Sequence, residues 1–362
     1  MIKITKKKGK LIMFYFTNEI VFVGHPDKIC DQISDALLDA YMKQDPNTRA
    51  GIETVGGKGK IFITGEVTSS AEVDVYGVVY QVLDEVGYDI SKYEVVVNLS
   101  KQSPDIAKRV NVGGAGDNGM MVGFACTDTQ QHVRTAQAIL QDFAQSYETA
   151  RIGSELLKSD GKAQITGLYD ENWKLLKIKD FVVCYQNTET DRKKTDGAIR
   201  GIVYAICYKY NVEVENIIIN PTERFELGGF EADAGLTGRK IVVDSYQGFA
   251  PVGGGAFSGK DPSKVDRSGA YMARRLALKY LKNHELKWCQ VQLSYAIGLE
   301  EPRAIYITSN KGVIEADAID YERCKPQNII KFLDLHNVKF EDTAKFGHFG
   351  RGFAWDSNSE IE

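Results

Sequence analysis

The sequence lacks the cysteine patterns of secreted and zinc-binding proteins. Its six cysteines are scattered over 362 residues and form no C-x-x-C pair, whereas disulfide frameworks and zinc sites need clustered or regularly spaced cysteines. No apolar run approaches the roughly 20 residues of a membrane-spanning helix, and the net charge is only −4. Composition therefore predicts a cytoplasmic globular protein of two or three domains, without a nucleic-acid or membrane partner.

The usual residue sets of nucleophilic catalysis are also missing. No Ser-His-Asp or Cys-His arrangement is visible, and the five histidines are not spaced as metal ligands. The lysines and arginines must therefore be interpreted by their positions beside glycine-rich and acidic segments.

The first residues are interpreted as an extension. Residues 1–13 combine a basic run with a very short apolar stretch, which is too short for a secretory signal and precedes no small-residue cleavage site. Met13 could itself be a start. We expect residues 1–13 to be disordered and to have no role in the fold.

Short strands and amphipathic helices alternate along the rest of the chain. Apolar periodicity predicts helices over 72–86, 130–146, 195–210 and 262–283. Strands are predicted over 61–63, 94–99, 181–186, 217–220, 241–243, and near 290–296 and 304–308. This mixture indicates α+β or α/β layers. Three strand–helix units recur at roughly hundred-residue intervals, but they share no sequence pattern that would establish an internal repeat.

A first charged segment, residues 24–35 (GHPDKICDQISD), is predicted to open a helix at Pro26 and Asp27. Aspartates recur along it at four-residue spacing, where like charges repel by about 0.2–0.5 kcal/mol per pair. His25 and Lys28 crowd Asp27 at the helix N-terminus, which suits phosphate with a hard cation; compensation of the helix dipole is the alternative. The other aspartates of the stripe are expected on a solvated acidic face, namely Asp31, Asp35 and Asp39.

A second segment, residues 253–267 (GGGAFSGKDPSKVDR), is glycine-rich and cationic. Residues 254–260 match G-x-x-x-x-G-K, but Asp261 follows where a P-loop has Ser or Thr, and no predicted strand lies directly before the match. We interpret the segment as a phosphate cradle that is not a P-loop, with Asp266 available to a metal ion. Its three cations are Lys260, Lys264 and Arg267. A flexible loop before a helix is the alternative, which explains the glycines but not the cations.

Two further segments support the same chemistry less specifically. Residues 233–240 place Arg239 and Lys240 at the entry to a predicted strand, where a plain surface pair is the alternative. Residues 101–119 are polar and glycine-rich, and we expect a mobile loop there, either a lid or an ordinary surface loop. Phosphate-binding elements at both ends of the chain favour a polyphosphate substrate with bridging magnesium.

Taken together, these segments resemble the methionine adenosyltransferase (S-adenosylmethionine synthetase) family. The shared motifs follow the family order from Thr17 to Trp355, and two of them, GHPDK and GGGAFSGKDPSKVDRS, are very specific. The other shared motifs are ITGE, KQSPDI, GAGDNG, GLTGRKIVVD, SYAIG and FGHFGR.

The resemblance implies an α+β fold of three similar domains of mixed strands and helices around a pseudo-threefold axis, at 14–113, 114–231 and 232–362. It implies a homodimer with shared active sites, paired into a homotetramer, that uses ATP, L-methionine, two Mg²⁺ ions per site and K⁺. The methionine sulfur is expected to attack C5′ of ATP and release triphosphate, which is then hydrolysed to pyrophosphate and phosphate. A neutral thioether needs no general base, so catalysis should depend on alignment and on cations at the triphosphate.

The resemblance also transfers roles to single residues through their motif positions. Those expected to act on the triphosphate in catalysis are His25, Lys162, Arg239, Lys240 and Lys260. Those expected to bind ATP are, besides these, Asp160, Gly161, Arg224, Phe225, Asp233 and Ala256. Those expected to contact methionine are Glu66, Gln102, Asp233 and Lys264, and the lid includes Gln102 and Asp117. Asp27 and Asp266 match Mg²⁺ ligands, and Glu53 matches the K⁺ ligand.

The sequence departs from the family pattern at a few positions. Val23 stands where the family usually has glutamate, and Gly161 stands where it has alanine. The segment between 106 and 114 is shorter than in typical bacterial members, so lid closure is expected to differ. The rival readings are a P-loop NTPase and an inactive family member, but an inactive member should have lost the charged site residues that this sequence retains.

Overall fold

A computed structural model describes residues 12–101, 113–187, 192–222 and 224–357. The strands in these residues are β1 (Met13–Val21), β2 (Arg49–Gly57), β3 (Lys60–Thr68), β4 (Glu94–Ser100), β5 (Gly119–Cys126), β6 (Leu157–Asp170), β7 (Leu175–Asn187), β8 (Val214–Ile219), β9 (Gly235–Leu236), β10 (Trp288–Tyr295), β11 (Ala304–Ser309) and β12 (Gly312–Ile314). The α-helices are α1 (Pro26–Gln44), α2 (Val75–Val86), α3 (Thr135–Ile152), α4 (Arg192–Lys209), α5 (Ile241–Asp244), α6 (Val265–Asn283), α7 (Ala318–Arg323) and α8 (Pro326–Phe332).

The strands form three four-stranded sheets with a common plan, in the orders β9-β2-β3-β4, β1-β6-β7-β8 and β5-β10-β11-β12. Each sheet has an antiparallel pair of consecutive strands at its centre, and each pair follows a helix, α1, α3 or α6. In two sheets a second helix, α2 or α4, then leads into a strand that runs parallel to the second strand of the pair. The α+β fold with three domains is therefore confirmed, and the repeat is visible in topology although it is not visible in sequence.

Each sheet also takes one edge strand from elsewhere in the chain. Strand β1 pairs with β6, β5 with β10, and β9 with β2, all antiparallel. A predicted domain therefore shares its sheet with a strand of another one. The boundaries near 113 and 231 stay a prediction, because the sheets do not follow them.

Small residues allow the helices to pack closely on the sheets. Helix α6 lies against β5 and β10, and a side chain at Gly123 of β5 would overlap the backbone of Ala273 in α6. Helix α1 packs on β2 and α2, and α3 packs on β6, β1 and α4. One apolar core joins the sheet of β2 and β3 to the sheet of β10 and β11. A second core lies beneath the sheet of β6 and β7. In the described part of the chain, no helix is long and apolar enough to cross a membrane.

Among the described residues, side chains on the other face of each sheet are exposed, and this face is called uncovered below. Alternate side chains along β1, β2, β11 and the first half of β3 are exposed, as is Met120 near the start of β5. Large exposed apolar residues on these faces include Tyr15, Val55, Phe62, Met120 and Tyr306. Since soluble monomers rarely leave broad apolar surface in water, these faces are suited to contact with another chain.

The predicted strand over 241–243 is wrong, because these residues form the helical turn α5. The N–H of Asp244 donates to Lys240 O at 2.8 Å, and the N–H of Ser245 donates to Ile241 O at 3.0 Å. Its β-branched residues favour a strand locally, but the buried Asp244 is fixed by an ion pair with Lys28 of α1. Tertiary contacts have overridden the local preference.

The predicted helix over 262–283 begins later, at Val265. The buried carboxylate of Asp261 accepts the N–H of Ser263 at 2.9 Å, and Lys264 N–H donates to Asp261 O at 3.0 Å. This side-chain hydrogen bond holds residues 261–264 in a turn, which competes with the first turn of the helix.

Candidate functional site

The N-terminus of α1 brings a histidine, a buried carboxylate and two cations together. His25 is the N-cap residue, and its Nδ1 accepts the N–H of Asp27 at 3.2 Å. Asp27 is 1% exposed and accepts the N–H of Leu236 at 3.0 Å. It forms an ion pair with Lys240, and Arg239 Nε lies 3.5 Å from the same carboxylate. Although burial alone would raise the pKa of Asp27, hydrogen bonds from Lys240 and Leu236 lower it.

The surroundings of His25 keep its imidazole neutral. Burial, followed by repulsion from Lys240 and Lys162, lowers the pKa of His25 from its usual 6.5 to about 4, against the attraction of Asp27. Since Nδ1 accepts a hydrogen bond, the proton of the neutral ring lies on Nε2. His25 therefore has one N–H donor available to a ligand at neutral pH.

The start of strand β6 contributes further residues to this end of the site. Lys162 lies opposite Val21 in the β1–β6 pairing, which places it beside the turn that leads to His25. Asp160 accepts the N–H of Gly229 at 2.7 Å, and burial raises its pKa to about 6. At Gly161, an added methyl group would lie 2.5 Å from the carbonyl oxygen of Cys184. The alanine usual at this family position therefore does not fit here without a backbone shift.

The aspartate stripe of α1 is not a solvated acidic face, so that prediction was wrong. Asp31 is 2% exposed and accepts the N–H of Gly238 at 2.8 Å, and Asp35 is fully buried and accepts the N–H of Gly259 at 2.8 Å. Asp39 is half-buried and accepts two N–H groups, from Phe340 and Glu341. Each carboxylate therefore ties a different loop to the helix.

Buried cations balance this stripe. Lys28 is 2% exposed and donates to Asp31 at 2.9 Å and to Asp244 at 2.6 Å. Arg267, predicted as a cation of the phosphate cradle, is fully buried and forms a bidentate pair with Asp35, with both distances 2.7 Å. Arg267 therefore cannot reach a phosphate, and that interpretation is corrected. One sequence signal could have indicated these buried ion pairs. The predicted helix carries a row of aspartates but few lysines or arginines of its own to neutralise them.

The glycine-rich loop lies against β2 and carries two half-buried lysines. Gly259 has φ +80°, and a side chain there would overlap the carbonyl oxygen of Ile52. The next residue, Lys260, forms an ion pair with Asp266 at the start of α6. Lys264 lies 3.2 Å from Asp261 and 3.7 Å from Glu66. The loop thus alternates lysines with carboxylates at the edge of a cavity.

This cavity has a volume of about 570 Å³ and opens on the uncovered face of β2 and β3. Its predicted site residues are Glu53, Glu66, Ala256, Lys260 and Lys264, and Thr64, Asn98 and Ser100 add polar atoms. A pocket of this size, lined by charges of both signs, suits a small zwitterion or part of a larger ligand.

Most predicted site residues fall into two clusters. The histidine cluster is His25, Asp27, Asp160, Lys162, Arg239 and Lys240. The loop cluster is Glu53, Glu66, Ala256, Lys260, Lys264 and Asp266. Helix α1 joins them, since Asp31 holds the loop before Arg239 and Asp35 holds the loop before Lys260.

Other predicted residues lie at the margins. Arg224 is exposed and pairs with Glu226 at 2.7 Å, and Asp233 is exposed and accepts the N–H of Ala234. Phe225 is half-buried and accepts the N–H of Asn187 through its carbonyl, and Asp117 is exposed. Gln102 lies outside the described residues, as does most of the predicted lid.

The donor set limits how a metal ion could be held. Across the described ranges, no three His, Cys, Asp or Glu side chains are grouped to hold a metal ion. Asp27 and Asp266 each stand beside a lysine in separate clusters. Single carboxylates beside phosphate-binding cations fit Mg²⁺, which is commonly held by one or two carboxylates and by substrate phosphates.

Comparison with known proteins gives the same family along the whole described chain. Residues 13–108 match the family model described as S-adenosylmethionine synthetase, N-terminal domain, 112–225 match the central domain, and 227–357 match the C-terminal domain. An S-adenosylmethionine synthase of Fusobacterium nucleatum is 41% identical over 356 residues, covering 93% of each chain. One of Prochlorococcus marinus is 40% identical, covering 93% of this chain and 94% of the relative.

Proposed function

The chain belongs to the S-adenosylmethionine synthetase family, and from that premise we propose that it is an ATP:L-methionine S-adenosyltransferase. It transfers the adenosyl group of ATP to the sulfur of L-methionine, and then hydrolyses the triphosphate to pyrophosphate and phosphate. The observation that carries this proposal is the histidine cluster, where a neutral histidine, a buried carboxylate and three cations meet at a helix N-terminus.

His25 is placed to serve the leaving group. Its Nε2–H is the free donor of a neutral ring whose orientation is fixed by Asp27 N–H. When the sulfur attacks C5′, negative charge develops on the oxygen that leaves, and a preoriented donor stabilises that charge with little reorganisation. The sulfur becomes a sulfonium without losing a proton, so no base is needed.

The cations of both clusters neutralise the departing triphosphate. Lys162, Arg239 and Lys240 contribute from the histidine cluster, and Lys260 contributes from the loop cluster. Lys240 and Lys260 each pair with a carboxylate in the free chain. A bound polyanion would draw both lysines away, which leaves Asp27 and Asp266 free to ligate a cation.

Asp27 and Asp266 would hold Mg²⁺, two ions per site, and Glu53 would hold K⁺. Bound Mg²⁺ would neutralise charge on the phosphate oxygens and orient the chain of phosphates. Glu53 is exposed at the wall of the 570 Å³ cavity, where a single carboxylate suits a weakly held monovalent cation.

The remaining predicted residues bind the organic parts of the substrates. Glu66 and Lys264 offer opposite charges to the amino and carboxyl groups of methionine, and they lie 3.7 Å apart at the cavity. Gln102 and Asp233 complete the methionine contacts, and Gln102 and Asp117 act from the lid. Those assigned to ATP, in addition to the cations, are Asp160, Gly161, Arg224, Phe225, Asp233 and Ala256.

A homodimer with shared sites would bring the two clusters together. Within one chain Asp27 and Asp266 belong to different clusters, and the loop cluster borders the exposed face of β2 and β3. A twofold contact would set the histidine cluster of one protomer against the loop cluster of its partner. Two dimers would then form a tetramer. We place the enzyme in the cytoplasm, since its six cysteines are free thiols.

The deciding experiment is detection of S-adenosylmethionine by mass spectrometry from ATP and L-methionine, with and without Mg²⁺. We expect product only when both substrates and the metal are present, together with pyrophosphate and phosphate. An ordinary NTPase would release phosphate without methionine and form no S-adenosylmethionine. Such a result from folded protein would contradict the proposal.

A further inference from the structure

Arg267 uses every hydrogen-bond donor that a guanidinium has. Its Nη1 donates to Asp35 Oδ1 at 2.7 Å and to Lys260 O at 3.0 Å, and its Nη2 donates to Asp35 Oδ2 at 2.7 Å and to Thr343 Oγ1 at 3.1 Å. The fifth donor, Nε, reaches Tyr271 Oη at 3.1 Å. An arginine with all five N–H groups paired in a fully buried position is held in one orientation.

Arg267 and its partner Asp35 together hold the backbone around Lys260. Asp35 accepts the N–H of Gly259 at 2.8 Å, and Ile52 N–H donates to Gly259 O at 3.0 Å. Arg267 then holds the carbonyl of Lys260 itself. The Lys260 side chain is 21% exposed and reaches toward Asp266. Its position depends on a backbone that the buried Asp35 and Arg267 hold by hydrogen bonds.

The hydrogen bonds of Arg267 extend through Tyr271 to the FGHFGR segment, residues 346–351. Tyr271 accepts from Arg267 and lies 2.7 Å from Nδ1 of the buried His348. Burial, followed by repulsion from Arg267, lowers the pKa of His348, so its neutral Nδ1 can accept the tyrosine hydroxyl. The His348 ring also packs on Phe257, with centroids 4.7 Å apart, and the N–H of Lys260 donates to Phe257 O.

We propose that Asp35, Arg267, Thr343, Tyr271 and His348 form a positioning network that sets Lys260 for the triphosphate, and that this is the role of the FGHFGR segment. The inference rests on the proposed function, because it gives Lys260 a transition-state task. The network, called the Arg267 network below, touches no substrate. It acts through Lys260, whose ammonium must lie within hydrogen-bond distance of a developing charge to be effective.

Tyr271→Phe tests the network because it removes one hydroxyl and keeps the ring, which stacks on Trp355 at 3.6 Å. We expect kcat for S-adenosylmethionine formation to fall about tenfold with KM for methionine within about twofold, since Lys260 would be misplaced rather than methionine lost. The matched control is Tyr280→Phe on the same helix. That hydroxyl is also buried and donates to Asp320 at 2.6 Å, remote from the loop. Tyr280→Phe should lower the melting temperature without changing kcat.

A double-mutant cycle separates positioning from general stability. In a Lys260→Met background, Tyr271→Phe should change single-turnover product formation by less than about twofold, because the group it positions is gone. An equal loss in both backgrounds would overturn the proposal, as would an unchanged kcat in the single variant.

Thr343 supplies a second variant if Tyr271→Phe does not fold. Thr343→Val is nearly isosteric and removes the acceptor for Arg267 Nη2, whereas Thr343→Ser keeps it. We expect Thr343→Val to lower kcat with the same coupling to Lys260, and Thr343→Ser to retain the wild-type value. Equal activity of the two variants would contradict the Arg267 network but would leave the proposed function unaffected. Wild-type protein that forms no S-adenosylmethionine would contradict the proposed function instead.

Discussion

At the scale of single residues, environment rather than residue type sets the chemistry of the site. His25 and His348 are both histidines with lowered pKa values, yet His25 is partly open beside a helix N-terminus and His348 is sealed among aromatic rings. Only His25 can offer its free N–H to a ligand. The same imidazole is therefore a candidate catalytic group in one place and a structural acceptor in the other.

Replacement of His25 by asparagine tests its catalytic task. His25→Asn should slow adenosyl transfer by about 10²–10³-fold, the usual cost of removing one preorganised donor. Hydrolysis of added triphosphate should suffer less, because its breaking bond lies elsewhere along the phosphates. Single-turnover transfer and triphosphatase assays on the same variant measure the two steps.

The alternative for His25 is a purely structural cap of the turn before Pro26. In that case transfer and hydrolysis would fall together, and the melting temperature would fall with them. A parallel loss of both activities in a destabilised variant would remove His25 from the catalytic residues.

The same histidine predicts a pH dependence of stability. Its pKa is about 4 in the folded chain and near 6.5 when unfolded, so between these values the unfolded chain binds more protons. The contribution of His25 to the free energy of unfolding should therefore rise with pH from about 4 to about 6.5 and then level off. Urea unfolding of wild type and His25→Asn at several pH values gives the difference. A wild-type minus variant difference that stays flat over this range would contradict the lowered pKa.

At the scale of elements, α1 is both a ligand-facing helix terminus and an internal support. Its first turn presents His25 and Asp27, while Asp31 and Asp35 hold the loops before Lys240 and Lys260. Four-residue spacing puts these carboxylates on one face of the helix, so a single rigid element spaces both loops. This explains why a stripe of like charges is kept on a buried helix despite its repulsion.

Helix α4 offers a simple test of stability at this scale. Gly197 lies in its interior on an exposed face, and a methyl group there would meet no atom within 4 Å. Gly197→Ala should raise the free energy of unfolding by about 0.5–1 kcal/mol, because alanine has the higher helix propensity. Gly123→Ala is the contrasting control, since its methyl group would overlap the α6 backbone and should destabilise the protein.

Urea unfolding measures both variants. A loss of stability in Gly197→Ala at concentrations where the protein is assembled would contradict the prediction. It would indicate that another subunit covers this face of α4.

At the scale of the whole molecule, the candidate site divides into two clusters, and we propose that two protomers share it. The histidine cluster and the loop cluster each contain cations and one candidate Mg²⁺ ligand, Asp27 or Asp266. The uncovered apolar residues on all three sheets are the surface that we propose for contact with a second protomer.

Hybrid dimers test whether the site is shared. A chain carrying His25→Asn and a chain carrying Lys260→Met should each be nearly inactive alone. Co-expressed and purified through two different tags, each hybrid dimer would have one intact site and one doubly altered site. Random pairing would then restore about a quarter of wild-type activity in the unfractionated mixture, and about half in the purified hybrid.

The co-expressed pair must be compared with each variant assayed at the same concentration. No recovery in a verified hybrid would show that both clusters serve a site within one chain. It would contradict the shared-site arrangement but leave the reaction itself untouched.

Motifs in the sequence identify the family and, through it, the α+β class, and local patterns locate the charged loops and many of the elements. These features depend on neighbours in the chain: Pro26 starts α1, alternating apolar residues make β10, and glycines beside Lys260 make a loop that can approach an anion. Such local patterns carry their own physical cause, in caps, side-chain periodicity and backbone freedom.

Which charges are buried and which strands share a sheet depend on contacts between distant parts of the chain, which appear only in the folded protein. Asp31 and Asp35 meet Gly238 and Gly259, partners more than 200 residues away, and residues 241–243 became helical because Asp244 is bound by Lys28. The free-energy cost of burying a carboxylate is offset by hydrogen-bond donors that lie close to it in the fold. Since these donors are distant in the sequence, no local pattern predicts them. The same limit applies to β1, β5 and β9, whose pairing partners lie in other units of the chain.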